Sequence, residues 1–152
     1  MTRGARVLPL RDLMERYMDG GGSRLGGLWY DAQAVVGRPP EQLRTLLGLD
    51  WTRPDGRPAF DPHDVGLLLF PVTRAVLLAT VFPLTASFGG AEPDPPHGAL
   101  ALGNGFAPGP ERIAEHRLHA IALPEGTQAC VVADDGEAVI LARWLGGLWR
   151  LR

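Results

Sequence analysis

Residues 128–151 read QACVVADDGEAVILARWLGGLWRL, and this stretch decides the fold. Two apolar runs, 128–133 and 138–144, flank Asp134-Asp135-Gly136-Glu137. An Asp-Gly pair between apolar runs is a strong hairpin signal, because glycine takes the positive φ that a strand-compatible tight turn needs. Gly146-Gly147 then permits a second reversal into residues 148–151. The C-terminal part is therefore read as an antiparallel meander carrying Trp144, Trp149, Arg150 and Arg152.

Toward the N-terminus, residues 65–88 read VGLLLFPVTRAVLLATVFPLTASF. The length approaches that of a spanning helix, but Arg74 at its centre and the internal Pro71 and Pro83 oppose one continuous apolar helix. The pattern predicts buried strands at 65–70 and 75–82, joined as an antiparallel hairpin by Pro71-Val72-Thr73-Arg74. Near-continuous apolar strands imply a central place covered on both faces. A short strand is expected at 98–102 between the Gly/Pro-rich segments 89–96 and 103–110.

Earlier still, Leu10, Leu13, Met14, Tyr17 and Met18 follow helical spacing after Pro9, and predict a helix over 9–18. Leu28, Trp29, Ala32, Val35 and Val36 trace a second helical face that Gly37 ends, with a glycine-rich loop at 20–27 before it. A third short helix begins at Pro39-Pro40-Glu41 and buries Leu43, Leu46 and Leu47. Residues 50–64, DWTRPDGRPAFDPHD, form a long loop of the kind that often carries function. The expectation is a single α+β domain over 1–152: a helical part at 1–49, the loop at 50–64, and mostly β structure at 65–152. Two or three N-terminal helices would pack on one face of a mostly antiparallel sheet of about five to seven strands.

Composition removes several chemistries. The chain has 152 residues, is 45% hydrophobic and 21% charged, and all 15 cationic side chains are arginine. Without lysine there is no P-loop lysine, no lysine Schiff base and no Ser-x-x-Lys acylase. One cysteine, Cys130, excludes an internal disulfide and a thiolate metal cluster built by this chain alone. Arginines and acids balance at nine to seven over 1–57, one to four over 58–110 and five to six over 111–152, so no segment has the clustered cations that nucleic acid demands. The absence of lysine beside abundant Arg, Ala, Gly and Pro suggests a GC-rich bacterial genome. Acidic residues interrupt the first 18 positions, so no signal-peptide core forms and a cytoplasmic location is expected. No cofactor, metal, membrane or nucleic-acid partner is expected.

Four constellations carry possible chemistry. Glu111, Glu115 and His119 are spaced by four with His116 beside them, so a helix over 111–123 would stack them as an acid–base set. A strand from 117 to 123 would spoil that stack, and a solvated first turn after Pro110 explains the same residues without a site. Asp61-Pro62-His63-Asp64, with Asp55 upstream, offers oxygen and imidazole ligands without an established metal spacing; Asx turns are the plainer account. His97 is a single histidine beside an expected strand start, and Cys130 reads as a buried, inert thiol. Trp144, Trp149 and Arg150 combine the residue types enriched at binding hot spots, though one indole filling the core and one capping an edge would use them equally well. Trp29, Tyr30 and Trp51 are candidates to extend that patch.

The leading expectation is thus a non-enzymatic protein-interaction module of accessory, chaperone-like or immunity-like type. It would bind another protein through its β face and long loops, with Trp144, Trp149 and Arg150 at the contact. The alternative is a small hydrolase or transferase acting on a nucleotide or other metabolite. It would use Glu115, His116 or His119 as general base and Arg24 or Arg74 as anion clamp. A third is an apolar-ligand binder with a cavity between the helices and the hairpin at 65–82.

Overall fold

A computed structural model describes residues 2–61, 63–81, 107, 111 and 113–152. Its core is one antiparallel sheet of eight strands in the order β4-β5-β2-β1-β3-β6-β7-β8. The strands are β1 (Arg3–Pro9), β2 (Arg24–Asp31), β3 (Val65–Pro71), β4 (Thr80–Val81), β5 (His116–Ala122), β6 (Gln128–Val132), β7 (Ala138–Leu145) and β8 (Leu148–Leu151). The helical elements are short: α1 (Leu10–Asp12) runs into a π-helix at Leu13–Asp19, and α2 (Ala32–Val35), α3 (Pro40–Leu46) and α4 (Arg74–Leu78) follow. The fold is α+β. No helix of the described residues is long and apolar enough to cross a membrane.

β3 sits between β1 and β6 and is buried from Val65 to Phe70. Its side chains alternate between two cores. Val65, Leu67 and Leu69 face a cluster with Ala5, Tyr30, Val35, Leu43 and Leu46, while Leu68 and Phe70 face another with Leu13, Tyr17, Trp29 and Val76. Helices α2 and α3 cover the first face, and the π-helix and α4 cover the second. The centre of the sheet is therefore clothed on both sides, not on the one face expected, which is why β3 reads as a continuous apolar run.

The C-terminal meander matches its reading. β6 pairs with β7, β7 with β8, and Gly136 takes φ +94° in the Asp-Gly turn. Helix α3 forms where expected, with Leu43, Leu46 and Leu47 buried. Several expectations are corrected: the sheet has eight described strands rather than about five to seven, and the loop expected at 20–27 gives way to β2 at Arg24. Residues 75–81 do not pair with β3: Thr73 accepts a hydrogen bond from the Val76 amide, this N-cap turns the start of the segment into α4, and Thr80–Val81 pair instead with β5. Residues 28–36 do not form one helix, because β2 runs to Asp31, whose side chain caps a single turn at Ala32–Val35. The front third is not wholly helical, since β1 and β2 are strands. The strand expected at 98–102, the loop at 89–96 and the Gly/Pro segment 103–110, apart from Ala107, lie outside the described residues.

One crowded position tests this packing. A Cβ on Gly4 would lie 2.5 Å from the Phe70 ring and 2.8 Å from Trp29 Cε3. Gly4→Ala is expected to destabilise the protein by about 1–3 kcal/mol through overpacking. A thermal melt checks this; an unchanged midpoint would mean that β1 does not press on those rings.

Candidate functional site

The two neighbouring residues Glu115 and His116 are both buried, and they point to opposite faces of the sheet. Tyr30 Oη donates to Glu115 Oε2 at 2.7 Å on the face that holds Ala5 and Val35, whereas His116 stacks on Trp29 with ring centroids 4.5 Å apart. Alternation along an extended chain produces this split. Burial raises the Glu115 carboxyl above its ordinary value, the Tyr30 hydrogen bond opposing more weakly. Burial also lowers the His116 imidazole to about 4. Glu115 Oε1 has no hydrogen-bond partner among the described residues. His119 lies in β5 and is exposed.

Of the two readings of 111–123 the strand is the one that forms, as β5 over His116–Ala122. Glu115, His116 and His119 do not converge, and Glu111 is an exposed partner of Arg38 at 3.3 Å. The candidate clamps are also apart: Arg24 donates to the Ala120 carbonyl at 3.0 Å, and Arg74 opens α4. Asp61 Oδ1 accepts from the His63 amide, and Asp55 Oδ1 from that of Arg57, so these carboxylates form Asx turns. Among the described residues no group of three or more His, Cys, Asp or Glu side chains is placed to hold a metal ion. The buried Cys130 thiol is pushed up to about 11 by burial, which suits an inert core residue. His97 lies outside the described residues.

The C-terminal hairpin carries all three of its candidates, but on two faces. Trp144 and Trp149 are cross-strand partners with ring centroids 5.4 Å apart, and Trp149 also meets Tyr17 edge-on at 6.1 Å. Trp149 Nε1 donates to the Gly22 carbonyl at 2.9 Å, so the glycine loop after the π-helix is tied to β8. The indoles therefore lie half-buried on the side turned to the second core. Arg150 points to the other face, where it pairs in register with Arg143, and Leu148 pairs with Leu145 beside them. All four are exposed. No described strand pairs with the outer edge of β8. Sequence reasoning singled out Arg150 but missed Arg143, Leu145 and Leu148; the alternation of 143, 145, 148 and 150 about the Gly-Gly turn was the available signal.

The remaining aromatics divide between core and surface. Trp29 and Tyr30 are buried, while Trp51, on the long loop, is 54% exposed. No protein-family model, no curated protein and no solved structure matches the chain.

Proposed function

We propose that the chain is a non-enzymatic protein-interaction module whose partner docks on the β7–β8 hairpin. The observation that carries this reading is the cross-strand square of Arg143, Arg150, Leu145 and Leu148 on an uncovered sheet face, next to an open strand edge. An unpaired edge offers a row of amides and carbonyls to an extended segment, and strand addition lets main-chain bonds supply affinity while side chains supply selectivity. The hairpin end carries Arg143, Arg150 and Arg152, and the carboxylate of Glu125 beside the turn accepts from the Gly146 amide. Charge complementarity therefore fits a partner segment that alternates acidic and apolar residues. Pairing between two copies of β8 would bring like-charged arginines together, which is unfavourable across strands. Trp144 and Trp149 serve this reading by fixing the hairpin from behind, and Arg150 contacts the partner.

The test uses the full chain. Capture from its native lysate is expected to yield a stoichiometric protein partner, with affinity for the purified partner falling about tenfold or more in Leu148→Asp and in Arg150→Glu. Both changes are on exposed positions, so melting temperature serves as the folding control. Equal binding by parent and variants overturns the reading. So does a concentration-dependent dimer of the parent that Leu148→Asp abolishes, since the occupant would then be a second copy.

A further inference from the structure

β1 and β2 pair only at Gly4↔Asp31 and Ala5↔Tyr30, and beyond these positions they part. β1 continues along β3 to Pro9, while β2 turns away along β5 through a bulge between Leu25 and Gly27. The sheet is thus forked, and side chains take the place of the missing ladder. Arg6 Nη1 donates to the Leu28 carbonyl at 3.1 Å, and Tyr17 Oη to the Arg24 carbonyl at 2.9 Å. Gly27 makes this possible: a Cβ there would lie 2.8 Å from Arg6 Cζ, so the guanidinium lies against bare backbone at φ +94°.

The long loop roofs this fork. Two adjoining clefts of about 500 Å³ each share Pro9, Arg11, Arg53 and Ala59 in their walls. One reaches Arg6, Tyr30, Trp51 and Phe60, and the other reaches Met14 and Arg57. Four guanidiniums line them, against the carboxylates of Asp12, Asp61 and Asp64. Arg53 has an ion pair with Asp55 at 3.8 Å, whereas Arg6, Arg11 and Arg57 have no carboxylate partner among the described residues. Asp61 Oδ1 accepts from the His63 amide and keeps its charge. Of these three arginines only Arg6 is partly buried; Asp12 attracts it from beyond ion-pair distance, and a guanidinium presents a planar fork suited to carboxylate or phosphate. A volume of this order suits a small molecule, and the exposed face of Trp51 supplies a flat apolar wall.

We infer that this cleft binds a small organic anion, with its carboxylate or phosphate head held by Arg6 and Arg11 and its flat apolar body against Trp51. This site lies apart from the β7–β8 hairpin and goes beyond the interaction reading. Calorimetric titration of the full chain with naphthoate and with naphthyl phosphate tests it, with naphthalenemethanol and inorganic phosphate as the uncharged and headgroup-only controls. Saturable binding of at least one aromatic anion, with neither control matching it, is the expected result. The tighter of the two anions identifies the head. Arg6→Met is expected to weaken binding about tenfold or more, the loss of one charge-assisted contact. The variant also gives up the bond to the Leu28 carbonyl, so its melting temperature is expected to fall modestly, and anion affinity rather than stability is the deciding readout. Arg11→Met, on an exposed position, carries the same binding expectation should Arg6→Met fail to fold. No saturable binding, equal binding of naphthalenemethanol, or an anion affinity unchanged by Arg6→Met would each overturn the assignment. The last outcome would leave Arg6 as a stand-in for a ladder donor and nothing more.

Discussion

Trp29→Ala is expected to destabilise the protein by about 3–5 kcal/mol, the usual cost of emptying a fully buried aromatic site. Trp29 is 0% exposed and lies where the sheet is most crowded. Its ring meets Phe70 at 5.6 Å and His116 at 4.5 Å, and the bare backbone of Gly4 leaves room for it. These neighbours come from β1, β3 and β5, so the indole joins strands that are distant in sequence across the forked part of the sheet. Close packing prevents collapse around so large a void, because the surrounding rings are fixed by strand pairing. Trp29→Phe separates cavity from polarity. The indole Nε1–H has no hydrogen-bond partner among the described residues, so phenylalanine removes an unpaired buried donor while keeping a ring in place. Its cost is expected to fall well below that of alanine. Chemical denaturation measures both, and an alanine midpoint equal to that of the parent would mean that Trp29 does not bridge the two halves of the sheet.

The same residue shows where sequence reading succeeds and fails. Leu28, Trp29, Ala32, Val35 and Val36 satisfy helical spacing, yet β2 occupies the first half of that run and one helical turn the second. A short apolar run carries no period strong enough to separate the two, and pairing with the distant strands β1 and β5 decides it. The Tyr30–Glu115 contact is of this kind: neither residue announces the other, and the β2–β5 register brings them together. The C-terminal meander was legible because its turns are chemical, an Asp-Gly and a Gly-Gly at fixed places between apolar runs. β1 was not, since Arg3–Pro9 mixes glycine and arginine with apolar residues. Arg6 was hidden for a further reason. Its position follows from a β-bulge and a fork, features of how strands diverge that no local pattern encodes. The long loop at 50–64 did stand out by length and proline content, and it roofs that fork.

Glu115 and His116 are expected to give stability opposite pH slopes although they are neighbours in sequence. Stability rises with pH wherever the unfolded chain binds more protons than the native one, and falls in the reverse case. The native imidazole titrates near pH 4 and an unfolded histidine near 6.5, so between these values the unfolded chain holds the extra proton. His116 alone therefore makes the protein lose about 3 kcal/mol as pH falls from 6.5 to 4. The native Glu115 carboxyl titrates above its ordinary value of 4.5, so from there upward the native state holds the extra proton. Glu115 alone makes stability fall as pH rises through that window. In the parent the two slopes oppose each other between about pH 4.5 and 6.5, and the variants separate them. Glu115→Gln keeps an acceptor for Tyr30 and leaves the histidine slope exposed, so the acid limb steepens relative to the parent. His116→Phe keeps a ring against Trp29 and leaves the carboxyl slope, so the variant loses stability relative to its own acid value as pH rises. Denaturation midpoints at several pH values for the three proteins decide the matter. Parallel curves would mean that neither group is buried in the ionisation state its face of the sheet imposes.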